Sequence, residues 1–215
     1  MIRNILAALA LTASALALAP FAVAQQTPAI LEINPPIPTD SKGKVEVVEF
    51  FWYECPHCYA LEPSLEAWVK KLPNDTEFKR IPAMFNQRWA LAARVYYTLD
   101  AIGELNRLHK PLFDAIHKGG LRVTDEKQVT DWLAQQKADV AKFNAAFKSF
   151  SVESKLKRAS ELTQASKIDG VPALMIQGRY LITAGGGEQD MLTYADTVIE
   201  QTRKQLASTA PSKKN

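Results

Sequence analysis

Cysteine, glycine and histidine are all scarce in this sequence: its 215 residues include 2 Cys, 9 Gly and 3 His. Two cysteines exclude a scaffold stapled by several disulfides, and any four-Cys zinc site built within one chain. With 9 Gly and 12 Pro the chain is neither collagen-like nor of low complexity, and no internal repeat is visible. A surplus of one charge is missing as well. The 26 basic and 23 acidic residues leave a formal net charge of +3, the two signs are interspersed, and Lys and Arg never run longer than a pair. Nucleic acid is therefore not an expected partner, because phosphate binding needs a concentrated basic face. No nucleotide, flavin or haem motif is present, so no cofactor is expected. There is no coiled-coil heptad and no room for a dimerisation extension, which makes a monomer the expectation. Hydrophobic residues make up 47% and charged residues 23% of the chain, the balance of a soluble globular protein with a core of its own.

One long hydrophobic run exists, and it lies at the start. Arg3 precedes an Ala/Leu-rich stretch from Ile5 to Leu18, and Ala22-Val23-Ala24 supplies a small-x-small cleavage pattern. Residues 1–24 are therefore predicted to be an export signal, removed after Ala24. The run is shorter than the roughly 20 residues needed to span a bilayer, and no Cys near the cleavage point is available for acylation. Both cysteines are then expected to work outside the reducing cytosol.

The mature chain opens with Pro28, Pro35, Pro36 and Pro38, which predict an extended lead-in over residues 25–44 without a regular element. Val45 to Trp52 is β-rich and apolar on both faces apart from Glu46 and Glu49, the pattern of a buried central strand. A helix starts at Pro56, a residue suited to the first helical position, with Leu61, Leu65, Trp68, Val69 and Leu72 at helical spacing and Pro63 expected to kink it. Leu72-Pro73-Asn74-Asp75 stops it, and Glu77 to Ile81 predicts a second strand. From Gln87 to Lys167 the texture is that of amphipathic helices. Breaks fall at Gly103, Gly119-Gly120, Lys137 to Asp139 and Ser149 to Ser151, and Thr124 is placed as an N-cap ahead of Asp125 and Glu126. Ala173 to Gln177 and Tyr180 to Thr183 predict a hairpin across Gly178-Arg179. A last helix runs from Glu188 to about Ala207, with Met191, Leu192, Ala195, Val198 and Ile199 on one side, ahead of a flexible tail, 208–215. The order β-α-β, helices, β-β-α predicts one α/β domain, residues 25–86 and 168–207, split by an all-helical insertion, residues 87–167.

The chemistry of the sequence converges on Cys55-Pro56-His57-Cys58, between a buried strand and a helix start. Three readings compete. As a structural crosslink the pair closes so short a loop that it removes little unfolded-state entropy, about 2 kcal/mol. As a metal site it offers Cys55, His57 and Cys58, one short of the usual four ligands, and the other histidines, His109 and His117, lie in the insertion. As a reactive pair it has a direct physical account. A sulfur at a helix N-terminus faces free N–H groups and the positive end of the dipole, both of which favour thiolate. Pro56 has no N–H, so the donors are the amides of His57 and Cys58, and His57 adds stabilisation beside the sulfur. A stabilised thiolate is a stabilised reduced state, hence a disulfide that is readily passed on. Cys58, one turn into the helix, is expected to be the more buried thiol.

The segment EFFWYECPHCYALEP, residues 49–63, resembles the active-site segment of the DsbA family of bacterial periplasmic thiol:disulfide interchange proteins. The order of elements resembles that family's thioredoxin-like fold with its helical insertion. Gly170-Val171-Pro172-Ala173 is similar to its cis-proline loop, and the likeness continues to Ala195-Asp196-Thr197-Val198. The resemblance implies that Cys55 forms the mixed disulfide with substrate, that Cys58 resolves it, and that His57 tunes the thiolate. Val171 and Pro172 would then dock extended substrate chain. On sequence alone Pro172 is an ordinary turn proline; only the resemblance implies a cis bond. Glu49, six residues before Cys55, matches an acidic position to which the family's resemblance assigns proton handling near the buried thiol, while a pairing with Arg80 or Lys79 on the neighbouring strand is equally open. Burial would raise its pKa in either case. Phe51, Trp52 and Tyr53 are expected to pack rather than react. Glu54 departs from the apolar residue often found before the first Cys in enterobacterial members, and a carboxylate there is expected to oppose thiolate formation slightly.

The activity implied is that of a periplasmic oxidase. Its redox-active Cys55–Cys58 disulfide would be donated to reduced, unfolded exported proteins and restored by a DsbB-type, quinone-linked membrane partner. A reductase or isomerase on the same fold is the near alternative, and a holdase or metal-binding module the distant one. Dimeric isomerases carry an N-terminal dimerisation domain for which residues 25–44 are too short.

Overall fold

The computed structural model describes residues 30–184 and 188–209. The expected export signal, its cleavage after Ala24 and residues 210–215 lie outside them. Among the described residues there are five strands and seven helices. The strands are β1 (Ile30–Glu32), β2 (Val45–Phe51), β3 (Thr76–Pro82), β4 (Ala173–Ile176) and β5 (Tyr180–Thr183). The helices are α1 (Pro56–Val69), α2 (Gln87–Ala101), α3 (Leu105–His117), α4 (Glu126–Gln135), α5 (Val140–Phe147), α6 (Phe150–Ala165) and α7 (Glu188–Thr209).

The strands form one mixed sheet in the order β1-β5-β4-β2-β3. Every residue of β2 is buried, as its two-sided apolar pattern requires of a strand covered on both faces. It runs parallel to β3, with Glu49 opposite Arg80, and antiparallel to β4, with Glu49 opposite Leu174. On one face Val45 and Val47 pack with Leu61, Leu65 and Trp68 of α1 and with Met191, Leu192, Ala195, Val198 and Ile199 of α7. Val48 and Phe50 face the other way, against Ala83, Ile168, Met175 and Leu181. The five helices α2–α6 lie between β3 and β4 in the chain and bury a third core, which Phe51, Tyr53, Cys55 and Cys58 join from the sheet side. The redox pair therefore sits where the sheet domain meets the helical insertion.

Several local expectations are corrected. The lead-in is not free of regular structure: Ile30–Glu32 adds an edge strand antiparallel to β5. Proline excludes the chain from central strands but not from an edge, and the three residues of β1 contain none. The cap of α4 is Asp125, whose carboxylate accepts from the Gln128 N–H at 3.1 Å, not Thr124. In the β4–β5 hairpin the Arg179 N–H bonds back to the Ile176 carbonyl at 3.0 Å, with Gln177 and Gly178 both at positive φ. The strand thus ends one residue before Gln177. Gly178 is required here twice over, by its φ of +62° and because a Cβ would lie 1.9 Å from the Ile37 carbonyl oxygen. The last helix continues through Ser208 to Thr209, past Ala207.

Candidate active site

The chain turns sharply out of β2 before the helix begins, with the Cys55 N–H bonded to the Trp52 carbonyl at 3.0 Å. Cys55 is the N-cap of α1, in an extended conformation, and its sulfur accepts from the Cys58 N–H at 3.5 Å. Pro56 occupies the first turn, where its missing N–H costs nothing. Both cysteines are free thiols, so the structure describes the dithiol form. They are not equivalent: Cys55 lies at the helix tip beside exposed His57, whereas Cys58 is enclosed by the core.

The difference in surroundings splits their acidity. The Cys55 thiol is brought down from 9.0 to about 6, first by the hydrogen bond from the Cys58 side chain. The N–H groups of Cys58 and His57 and the His57 charge add to this and together outweigh partial burial. Cys58 moves the opposite way, well above its ordinary value, because burial penalises its thiolate and Cys55 and Glu49 add negative charge nearby. From across the fold, the Val171 carbonyl lies 3.5 Å from the Cys55 sulfur, and the Val171–Pro172 peptide bond is cis. Cys55, Cys58, His57, Val171 and Pro172 are thus brought together as expected.

Glu49 sits behind them, 1% exposed, and the two roles considered for it are compatible. Its Oε2 accepts from Arg80 Nε at 3.0 Å; Lys79 instead donates to Glu46 at 2.7 Å. Arg80 is shared, since its second guanidinium nitrogen donates to Glu62 Oε1 at 2.8 Å. Arg80 is one cation facing two buried carboxylates, and the acidities of the pair are driven apart. Burial raises Glu49 to about 8 against the opposing pull of Arg80, with Glu62 adding to the rise. Burial also works against Glu62, but contact with His109 and the charge of Arg80 win and lower it, while burial in turn lowers His109 and disfavours its charged form. Beyond Glu62 the network continues to His109, whose Nε2 is 3.5 Å from Glu62 Oε1 and whose Nδ1 is 2.8 Å from the Tyr53 hydroxyl. Arg80 and His109 also line a cleft of about 440 Å³ between β3, α2 and α3. Glu62, His109 and the Tyr53 hydroxyl went unrecognised in the sequence. The available signal was Glu62 itself, a carboxylate directly after Leu61 on the buried side of α1.

Trp52 and Tyr53 pack as expected, Tyr53 edge-on to Phe51 with centroids 5.2 Å apart. Trp52 stacks on Trp89 of α2 at 4.3 Å. Glu54 is not left alone beside Cys55: Arg88 Nε donates to its carboxylate at 2.5 Å. Among the described residues no three His, Cys, Asp or Glu side chains are grouped so as to hold a metal ion, and no helix is long and apolar enough to cross a membrane.

Comparison with known proteins points one way. A protein of Bordetella parapertussis named thiol:disulfide interchange protein DsbA is 44% identical over 204 residues, covering 94% of this chain and 97% of its own. The protein of the same name from Azotobacter vinelandii is 41% identical over 175 residues, 80% of this chain and 82% of its own. Among solved structures, Pseudomonas aeruginosa DsbA superposes with a TM-score of 0.79 at 36% identity, covering 82% of this chain and 93% of that one. The family model described as DSBA-like thioredoxin domain matches residues 46–198, a span that runs from the strand behind the cysteines to the helix that covers the sheet, and the chain belongs to that family.

Proposed function

We propose that this thiol:disulfide oxidoreductase works as a dithiol oxidase on reduced, unfolded exported proteins. The observation that carries the reading is the opposed acidity of the two thiols, about 6 at Cys55 and well above the ordinary value at Cys58. In the oxidised enzyme a client thiolate attacks the Cys55 sulfur. The Cys55–Cys58 bond breaks, a Cys55–client mixed disulfide forms, and Cys58 leaves with the electron pair. Burial makes Cys58 a poor thiolate, so it must take up a proton, and Glu49, a buried acid that holds its proton up to about 8 and lies close enough for its ionised form to raise Cys58, is the group to supply it. A second client thiolate then attacks the client's own sulfur. The client disulfide closes and Cys55 departs as a stable thiolate, which makes it a good leaving group. The reverse attack, by Cys58 on Cys55, resolves mixed disulfides that go no further.

His57 adds its charge and N–H at the sulfur, and Val171 and Pro172 form the wall against which extended client backbone docks, beginning with the Val171 carbonyl. The dithiol is returned to the disulfide by a DsbB-type, quinone-linked membrane protein. The site of action is the periplasm, reached through residues 1–24 with cleavage after Ala24, and the working unit is a monomer.

The test is transfer itself. Oxidised protein is mixed with an equimolar reduced, unfolded client containing two cysteines, and free thiols are trapped with time. The expected result is client disulfide formed at the expense of the Cys55–Cys58 bond, lost when both cysteines become serine. A client that stays reduced contradicts the reading, and aggregation suppression that survives the double substitution points to a holdase instead.

A further inference from the structure

Glu54 is covalently next to the nucleophile, and its side chain is only 7% exposed. A carboxylate so placed opposes a thiolate on the following residue, more strongly than a solvated one would. Yet the Cys55 thiol is held near 6. What separates the two charges comes from another element. Arg88, in the first turn of α2, donates its Nε to Glu54 Oε2 at 2.5 Å, with its own side chain 60% exposed. Its guanidinium also lies 5.5 Å from the centre of the Trp52 ring. Trp52 is stacked on Trp89 at 4.3 Å and 8° between planes, and Phe85 meets Trp89 edge-on at 4.7 Å. The aromatic stack fixes the face over which the arginine lies, so the cation is held at the carboxylate rather than left to wander in solvent.

We propose that Arg88 is a positioning residue for the reaction: by pairing with Glu54 it cancels the negative charge this chain carries beside Cys55, and so preserves the stability of the Cys55 thiolate. The inference rests on Cys55 being the nucleophile, and on nothing about the direction of electron flow. The other groups facing the sulfur are His57 and Cys58 of its own segment and the Val171 carbonyl. His117 of α3 reaches the Tyr53 carbonyl at 2.8 Å, not the thiol.

The experiment is a titration of the reduced protein, following thiolate absorbance or alkylation rate against pH, in four forms: parent, Arg88→Met, Glu54→Gln and the double variant. Methionine keeps a stem over Trp52 while removing the charge. Arg88→Met is expected to raise the Cys55 pKa by about 0.5–1 unit, an effect that shrinks as salt is added. Glu54→Gln alone, which leaves the Arg88 charge uncovered beside the sulfur, lowers it by a comparable amount, and the double variant returns to the parent value. If Arg88→Met leaves the pKa in place, or the double variant stays as displaced as the single one, the proposal is overturned, since lost packing would survive removal of Glu54. Cys55→Ser is the control. If the parent shows no acidic thiol that this change abolishes, the assignment of the nucleophile fails and takes the proposal with it, a result distinct from a pKa that Arg88 does not move.

Discussion

Raising the pH of the reduced protein from 6 to 8.5 titrates Cys55 in the folded chain, where its pKa is about 6, but leaves it largely protonated in the unfolded chain, where the ordinary value is 9.0. A depressed pKa in the folded state contributes stability that is present above the unfolded value and lost as the pH falls through the folded one. The reduced form should therefore gain stability over this window while the oxidised form, which has no thiol, does not. Undiluted, the proton difference integrated over this window, about 2.1 pH units because the folded thiol is only half ionised at pH 6, corresponds to about 2.8 kcal/mol. Water reaches one side of a sulfur at the helix tip and screens it, which brings the expected gain to about 2 kcal/mol. Glu49 titrates too. Its raised pKa, about 8 in the dithiol form, removes stability as the pH climbs from 4.5, so the comparison is repeated in Glu49→Gln, where that contribution is gone. Above pH 9 the unfolded chain ionises Cys58, whose folded pKa is far higher, so the trend ends there. The assay is urea unfolding of both forms at several pH values. A reduced-minus-oxidised gap that stays flat, or narrows, between pH 6 and 8.5 refutes the assignment of Cys55 as a stabilised thiolate.

Glu49→Gln keeps the hydrogen-bonding shape and removes the proton site; the rate of reduction by a dithiol, followed by Trp fluorescence, should fall about tenfold and lose its pH dependence near 8. An unaltered pH profile would leave Glu49 as a buried partner of Arg80 and nothing more. Gly178→Ala places a methyl 1.9 Å from the Ile37 carbonyl oxygen at a φ of +62°, and should cost about 2 kcal/mol in chemical unfolding with the redox potential unchanged. Asp125→Ala should cost about 1 kcal/mol and Thr124→Ala almost nothing, because only Asp125 caps α4; equal losses would return the cap to Thr124.

What could be read from the sequence was what is encoded within a few residues. β2 announced itself by an apolar run on both faces, the N-cap thiol by Cys55-Pro56, and the helix breaks of the insertion by Gly103, Gly119-Gly120 and Ser149. The features that escaped depend on pairings between distant positions. β1 is three residues long and exists because Ile30–Glu32 finds the free edge of β5, with Leu31 opposite Leu181. Arg80 joins Glu49 to Glu62 only because α1 crosses β3, and His109 arrives at Glu62 from α3. Glu54 meets Arg88 34 residues along the chain, a pairing that no local pattern around Cys55 announces. For Asp125, two neighbouring residues share the same capping chemistry, and the backbone rather than the residue type decides between them.

With its Cys55 thiolate stabilised, the dithiol of Cys55 and Cys58 is the favoured state, and the disulfide is passed on spontaneously. The measurement that tests it most directly is the redox equilibrium of the protein against glutathione, read by Trp fluorescence or thiol trapping. The expected result is a potential well above that of the glutathione couple, with Cys55 the thiol that loses its proton first. A potential near that of thioredoxin, about −270 mV, would contradict it and make the protein a reductase fed by an electron donor.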